Sequence, residues 1–174
     1  DFNSLVDLFF YQTEKQNPAS IFLEWLNPKN KKKLTWGETS SNIYKLAKIL
    51  KENIVDGDRC LLVSENRPEW LISDIAIMLA NGITVPVYTT YTEKDYKYLI
   101  EDCQPSVIIV SNDEMHNKLK NIITEKDFIK KVITFEKIQE ADYNNKYLDF
   151  NFIIKNNLQE NDKFKNLDLK RNSP

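Results

Sequence analysis

Glycine is scarce in this chain, and its scarcity excludes a good deal. The three glycines among 174 residues, Gly37, Gly57 and Gly82, lie too far apart for G-x-G-x-x-G or G-x-x-x-x-G-K-[ST]. Neither a dinucleotide fingerprint nor a Walker phosphate loop is therefore present. Histidine is scarcer still. His116 stands alone, and with only Cys60 and Cys103 beside it in the sequence there is no zinc ligand set of usual spacing. Two distant cysteines also make no disulfide framework, so they read as buried thiols of a reducing, cytoplasmic compartment. There is no G-x-S-x-G elbow, and Ser64 has no histidine destined for it. Net charge is −2, with no basic excess, so nucleic acid is not the expected partner. No signal-peptide pattern is visible. The longest apolar run, Leu71 to Leu79, is interrupted by Asp74 and too short to span a bilayer, so no transmembrane segment is expected.

What is present is the pattern of a folded α/β domain. Hydrophobic residues make up 41% and charged residues 29%, the balance of a globular chain with a sizeable core. Three β-branched runs, Cys60 to Val63, Ile83 to Val87 and Ser106 to Val110, are each followed by a turn and a helical pattern. Apolar runs alternating with helices imply a mostly parallel sheet with helices on both faces. Four capping boxes punctuate the chain: Thr35 with Glu38, Asn66 with Glu69, Thr92 with Asp95, and Ser111 with Glu114. Behind the first, Ile43, Leu46, Ala47, Leu50 and Ile54 form a helical stripe. Behind the second, Leu71, Ile75, Met78 and Leu79 share a face that Trp70 and Ile77 widen. The third aligns Tyr96, Leu99, Ile100 and Cys103, and the fourth Met115, Leu119, Ile122 and Ile123. Upstream, Ser4 caps a helix that ends at Pro18, and Ile21–Leu26 with Lys33–Trp36 read as a β-hairpin. Downstream, Lys131 to Phe135 is one more strand, Tyr147 to Leu158 a helix, and Phe164 to Pro174 a linker.

The charged residues are read mostly as solvated. Lys31 to Lys33 form a hairpin tip, Asp74 lies on the wet edge of its helix, Glu101 and Asp102 end another, and His116 sits on a surface helix. Glu65 and Glu69 flank the cap at Asn66, and Trp70 is expected in the core. From these residues alone the reading is an α/β domain without a self-contained active site.

Three blocks from Leu34 to Asp113 carry a family resemblance. They are Leu34-Thr-Trp-Gly-Glu38, then Glu65-Asn-Arg-Pro-Glu-Trp70 with Ile72 to Ala80, then Asn81-Gly-Ile-Thr-Val-Pro-Val-Tyr-Thr-Thr90. In order and spacing they resemble the adenylate-forming enzymes, and in wording the long-chain fatty acid:CoA ligases. The resemblance implies a two-step ligase. A fatty acid carboxylate attacks the α-phosphate of Mg-ATP, and the thiol of CoA then takes the acyl group from the adenylate. The family's Ser/Thr/Gly-rich phosphate loop, its magnesium acid, its ribose Asp and its C-terminal Lys match no position here. Thr89-Thr90 lacks the glycines and lysine to stand in for that loop. No catalytic, cofactor-binding or metal residue is therefore carried over. The expectation is the N-terminal part of such a ligase, inactive alone. Residues 1–140 would form the N-terminal α/β portion of an AMP-binding domain. Residues 141–174 would be a weakly structured helix and connection leading to the phosphate loop. ATP, Mg and CoA belong to the full-length enzyme, and the fatty acid reaches the chain through the same remainder. Peripheral membrane contact stays open, and the oligomeric state is unknown. Two alternatives stand beside this: an adenylate-forming ligase of a different acid, and a stand-alone non-catalytic α/β interaction module.

Overall fold

The computed structural model describes residues 2–27, 31–139, 141–143 and 145–155. Helix α1 (Leu5–Lys15) is capped by Ser4, whose hydroxyl accepts from the Asp7 N–H. An antiparallel hairpin follows, β1 (Ile21–Trp25) and β2 (Lys32–Thr35). Trp36 is the first residue of α2 (Trp36–Asn53), not the last of the strand, because Thr35 closes a complete capping box with Glu38.

Beyond the hairpin the strand–helix unit repeats through β3 (Arg59–Val63), α3 (Pro68–Leu79), β4 (Ile83–Val87), α4 (Glu93–Cys103), β5 (Val107–Val110), α5 (Asp113–Glu125) and β6 (Lys131–Thr134). The expected helix from Tyr147 is instead β7 (Tyr147–Asp149) running into α6 (Phe150–Lys155), since the Lys146 carbonyl already accepts from Val132 at the strand edge. Leu158 and the expected linker from Phe164 lie outside the described residues. The strands form one five-stranded sheet in the order β4-β3-β5-β6-β7, every pair parallel.

Strand alternation divides the core in two. Cys60, Leu62, Val107, Ile109 and Ile133 point to one face, where α2, α3 and α6 bury Leu46, Leu50, Ile72, Ile77 and Phe150. Leu61, Val63, Ile108, Val110 and Val132 point to the other, against Tyr96 and Ile100 of α4 and Met115, Leu119 and Ile123 of α5. Chain order requires this. The step from β3 to β4 runs one way along the sheet, and the step from β4 to β5 runs back past β3. With crossovers of one hand, the two helices must lie on opposite faces. The direction reverses between β3 and β5, which marks the crevice at the carboxyl ends of these strands as the place where open α/β sheets bind ligands.

Two caps differ from the sequence expectation. Helix α3 starts at Pro68 with Arg67 as its N-cap, extended at φ −152°, and no side chain caps it. Proline disfavours helical backbone in the residue before it, so Arg67 cannot be the first helical residue and Asn66 cannot be the cap one residue earlier. At α5 the N-cap is Asn112, whose Oδ1 accepts from the Met115 N–H, while Ser111 still belongs to the sheet edge. The Ser111 N–H donates to the Val63 carbonyl, and its own carbonyl accepts from Glu136. The box between Thr92 and Asp95 forms as read.

Candidate functional site

Loops after β3 and β4 enclose a cleft of about 460 Å³, lined by Ser64, Glu65, Asn66, Trp70, Tyr88 and Thr89 among others. Its floor is fixed from both sides. The Ser64 hydroxyl donates to the Glu65 carbonyl. The Tyr96 hydroxyl donates to the Tyr88 carbonyl at 2.8 Å, and the Lys118 ammonium donates to the Thr89 carbonyl at 2.9 Å. Burial, with the nearby Tyr91 and Glu114, pushes the Tyr96 phenol up to about 12, so it stays a neutral donor. Tyr88 itself is 72% exposed. Trp70, expected in the core, is half-buried: one part of the indole packs on the α2–α3 cluster and another faces this cleft. Position 70 lies in the first turn of α3, where a helix leaves the sheet edge, and that explains the difference.

A second constellation surrounds Arg67, which helix-pattern reading passed over. Its side chain is 5% exposed and carries three carboxylates. Nε donates to Glu69 at 2.9 Å, while Nη1 donates to Glu136 at 2.9 Å and to Glu65 at 3.2 Å. The guanidinium also lies over the Trp25 ring, 4.6 Å from its centroid, and 5.4 Å from that of Phe135. Glu69 is shared. Its other oxygen accepts from Lys32 at 2.6 Å, so the expected solvated hairpin tip is tied to α3, and Lys33 pairs with Glu24. Burial raises the Glu69 carboxyl, but hydrogen bonds from Arg67 and Lys32 and their charges outweigh it, and the group lies below the ordinary glutamate range. Burial likewise works against the Arg67 cation, and its acidic neighbours overcome it. The N-R-P-E spelling carried a signal for this: an arginine held extended before proline, with acids two residues away on both sides.

The remaining candidates do not gather. His116 is buried, not on the surface, and its Nε2 shares a 2.8 Å hydrogen bond with the Tyr147 hydroxyl, because β7 closes over α5. Cys60 is enclosed in the sheet, its thiol pushed up to about 12 by burial and by Asp58. Cys103 is half-buried and not bridged. Asp74 is partly exposed on α3, and Glu101 accepts from Lys126 at 2.9 Å. Glu69 has both oxygens taken by Lys32 and Arg67, and the described residues hold no His/Cys/Asp/Glu cluster of metal-binding form. No described helix is long and apolar enough to cross a membrane.

Comparison with known proteins gives a consistent set. The AMP-binding enzyme family matches residues 10–167. The human mitochondrial acyl-coenzyme A synthetase ACSM3 is 27% identical over 135 residues, 70% of this chain and 23% of that protein. A long-chain-fatty-acid–CoA ligase of Bacillus subtilis is 38% identical over 79 residues, 45% of this chain and 14% of the ligase. The chain thus spans less than a quarter of each of these two relatives. Among solved structures, the anthranilate CoA ligase AuaEII, in complex with anthranoyl-AMP, superposes with a TM-score of 0.73 at 22% identity, covering 86% of this chain and 27% of that one. A luciferase-like enzyme from the mealworm Zophobas morio gives 0.74 at 18% identity, over 92% and 36%. At such identities the two structures speak for the fold.

Proposed function

The chain belongs to the AMP-binding enzyme family, and from that premise we propose that it is the N-terminal α/β portion of an AMP-forming fatty acid:CoA ligase of the long-chain branch. The observation that carries this reading is the run of blocks from Leu34 to Thr90, in family order and spacing, inside the matched region. The 38% identity to the Bacillus ligase supports the branch. In the whole protein the acid's carboxylate is activated by Mg-ATP to an acyl-adenylate, and the acyl group passes to the thiol of CoA. Residues 1–140 form the supporting portion, and 141–174 lead towards the phosphate loop. No residue here is assigned a catalytic, cofactor-binding or metal role.

This chain's contribution is mechanical. Strand β3, buried on both faces from Cys60 to Val63, backs the partly exposed edge strand β4 and makes that edge rigid. That edge holds the β3 and β4 loops, with Trp70 and Tyr88, in fixed relation to whatever closes the cleft above them. The protein is active in the cytoplasm in this reading.

Two assays test it together. The 174-residue chain is assayed for ATP–pyrophosphate exchange with fatty acids of graded length, and so is the full polypeptide encoded by the source gene. No exchange is expected from the chain alone, and exchange with CoA-thioester formation, strongest on long acids, from the full polypeptide. Exchange by the chain alone overturns the supporting role. A full polypeptide that prefers short or aromatic acids overturns the branch.

A further inference from the structure

Between the hairpin and the β6–α6 side lies another cleft, of about 490 Å³, at the N-terminus of α3. Its lining includes four cations, Lys31, Lys32, Arg67 and Lys137, against two carboxylates, Glu69 and Glu136. These charges are not equally committed. Glu69 is spent on Lys32 and Arg67, its two oxygens at 2.6 and 2.9 Å. Lys31 and Lys137 are exposed, and neither makes an ion pair with a described residue.

Arg67 supplies the decisive detail. Nε and Nη1 hold the three carboxylates, which leaves Nη2 without a hydrogen bond among the described residues. Yet Nη2 is not among the fully enclosed polar atoms that lack a partner, which are Ser73 Oγ, Thr84 Oγ1 and Ser111 Oγ. An arginine side chain 95% buried therefore keeps its one free nitrogen open to solvent, and the space that Arg67 lines is this cleft. The same residue is the N-cap of α3, a helix of 12 residues whose first turn has no side-chain cap. Pro68 has no N–H and the Trp70 N–H donates to the Arg67 carbonyl, so it is the positive helix end that favours an anion at the same place.

We propose that this cleft binds a small anion carrying a phosphate group, with Arg67 Nη2 as the buried donor, Lys31 and Lys137 as flexible cations at the rim, and Trp25 as one wall. A guanidinium centred over an aromatic ring, with Nε and Nη1 taken by carboxylates, presents Nη2 in a fixed direction, as a donor to phosphate needs. Glu136, 54% exposed, is the competitor: it accepts from Nη1 and shares the space. The site opens on the hairpin side of α3, whereas the Trp70 cleft opens on the β4 side, so occupancy here does not depend on the ligase reading.

The test is a titration of the 174-residue chain followed by NMR at the Trp25 indole N–H and the Arg67 Nε–H. Inorganic phosphate is one titrant and glycerol 3-phosphate the other, to separate the free ion from a phosphate monoester. Saturable shifts at both probes are expected at millimolar ligand, weakening as salt rises. In the Lys31→Gln/Lys137→Gln double variant, which alters only exposed side chains, affinity should fall about tenfold. In Glu136→Gln it should rise, because the competing carboxylate is gone. Saturation by one titrant and not the other assigns the source of the phosphate and supports the site. Shifts that never saturate, that centre on the lysines of α4 and α5, or that ignore both variants overturn it, leaving the Arg67 cluster as a structural ion-pair network.

Discussion

At the scale of single residues, Ala80-Asn81-Gly82 shows how three letters encode one turn. Asn81 is left-handed at φ 63°, a conformation asparagine tolerates better than most non-glycine residues. The N–H of Gly82 reaches back to the Ile77 carbonyl and that of Asn81 to the Met78 carbonyl, a Schellman ending that satisfies the last carbonyls of α3. Gly82 is required for a different reason. A Cβ there would lie 2.9 Å from Ile54 Cδ1 and 3.0 Å from Ile77 Cγ2, inside a packed core. Gly82→Ala should therefore cost about 1–3 kcal/mol of stability, the usual penalty for overpacking. Asn81→Gly should hold or gain stability, since glycine enters the left-handed region freely. Urea denaturation of both variants decides the matter. Equal losses would mean that the turn's conformation, not the space at Gly82, sets the identity of the pair.

Among the elements, caps separate what the letters could show from what they could not. Strands β3 to β6 followed from β-branched runs, and the faces of α2, α4 and α5 from the 3.6 period. The α2 stripe, for example, is buried from Ile43 to Ile54 as the spacing implied. What spacing could not weigh is competition for the same atoms. Ser111 has the letters of a cap, but its backbone is engaged by Val63 and Glu136 across the sheet, so Asn112 takes the role. Helix α3 turns Ile72, Ser73, Ala76 and Leu79 into the core, while Leu71 and Met78 of the expected face are only partly buried, because α2 and the sheet cover it from two sides, a tertiary fact that no helical wheel contains. For the same reason His116 was legible as helical and illegible as buried: its cover, Tyr147, arrives 31 residues later. The cap assignment predicts a clear contrast. Asn112→Ala should cost about 1 kcal/mol, the typical price of a lost N-cap. Ser111→Ala should cost nothing or stabilise slightly, because its Oγ is enclosed without a partner. Thermal melts of the two variants measured side by side would reverse the assignment if the order of losses reversed.

Across the whole molecule, Arg67 joins parts that the chain keeps far apart: the hairpin through Trp25 and, by way of Glu69, Lys32; the start of α3 through Glu69; and the end of β6 through Glu136, 69 residues on. The hairpin's other attachment is an aromatic layer, in which Phe22 stacks on Trp36 with centroids 3.8 Å apart, and this layer does not titrate. The charged seam does. The Glu69 carboxyl sits below its ordinary value of 4.5 in the folded state, so its contribution is present above that value and is lost as pH falls through the lower, folded one. Stability measured by urea at stepped pH should thus decline from about pH 4.5 downward more steeply in the parent chain than in Glu69→Gln, which cannot titrate there. At neutral pH the same variant should be less stable by about 3 kcal/mol, since it leaves a buried guanidinium short of one full charge. The two curves should converge in acid, where the parent has lost by protonation what the variant lost by substitution. Curves that stay parallel down to acid unfolding would show that Glu69 acts by shape alone, and that the hairpin is held to the sheet by its aromatic layer and not by the Arg67 seam.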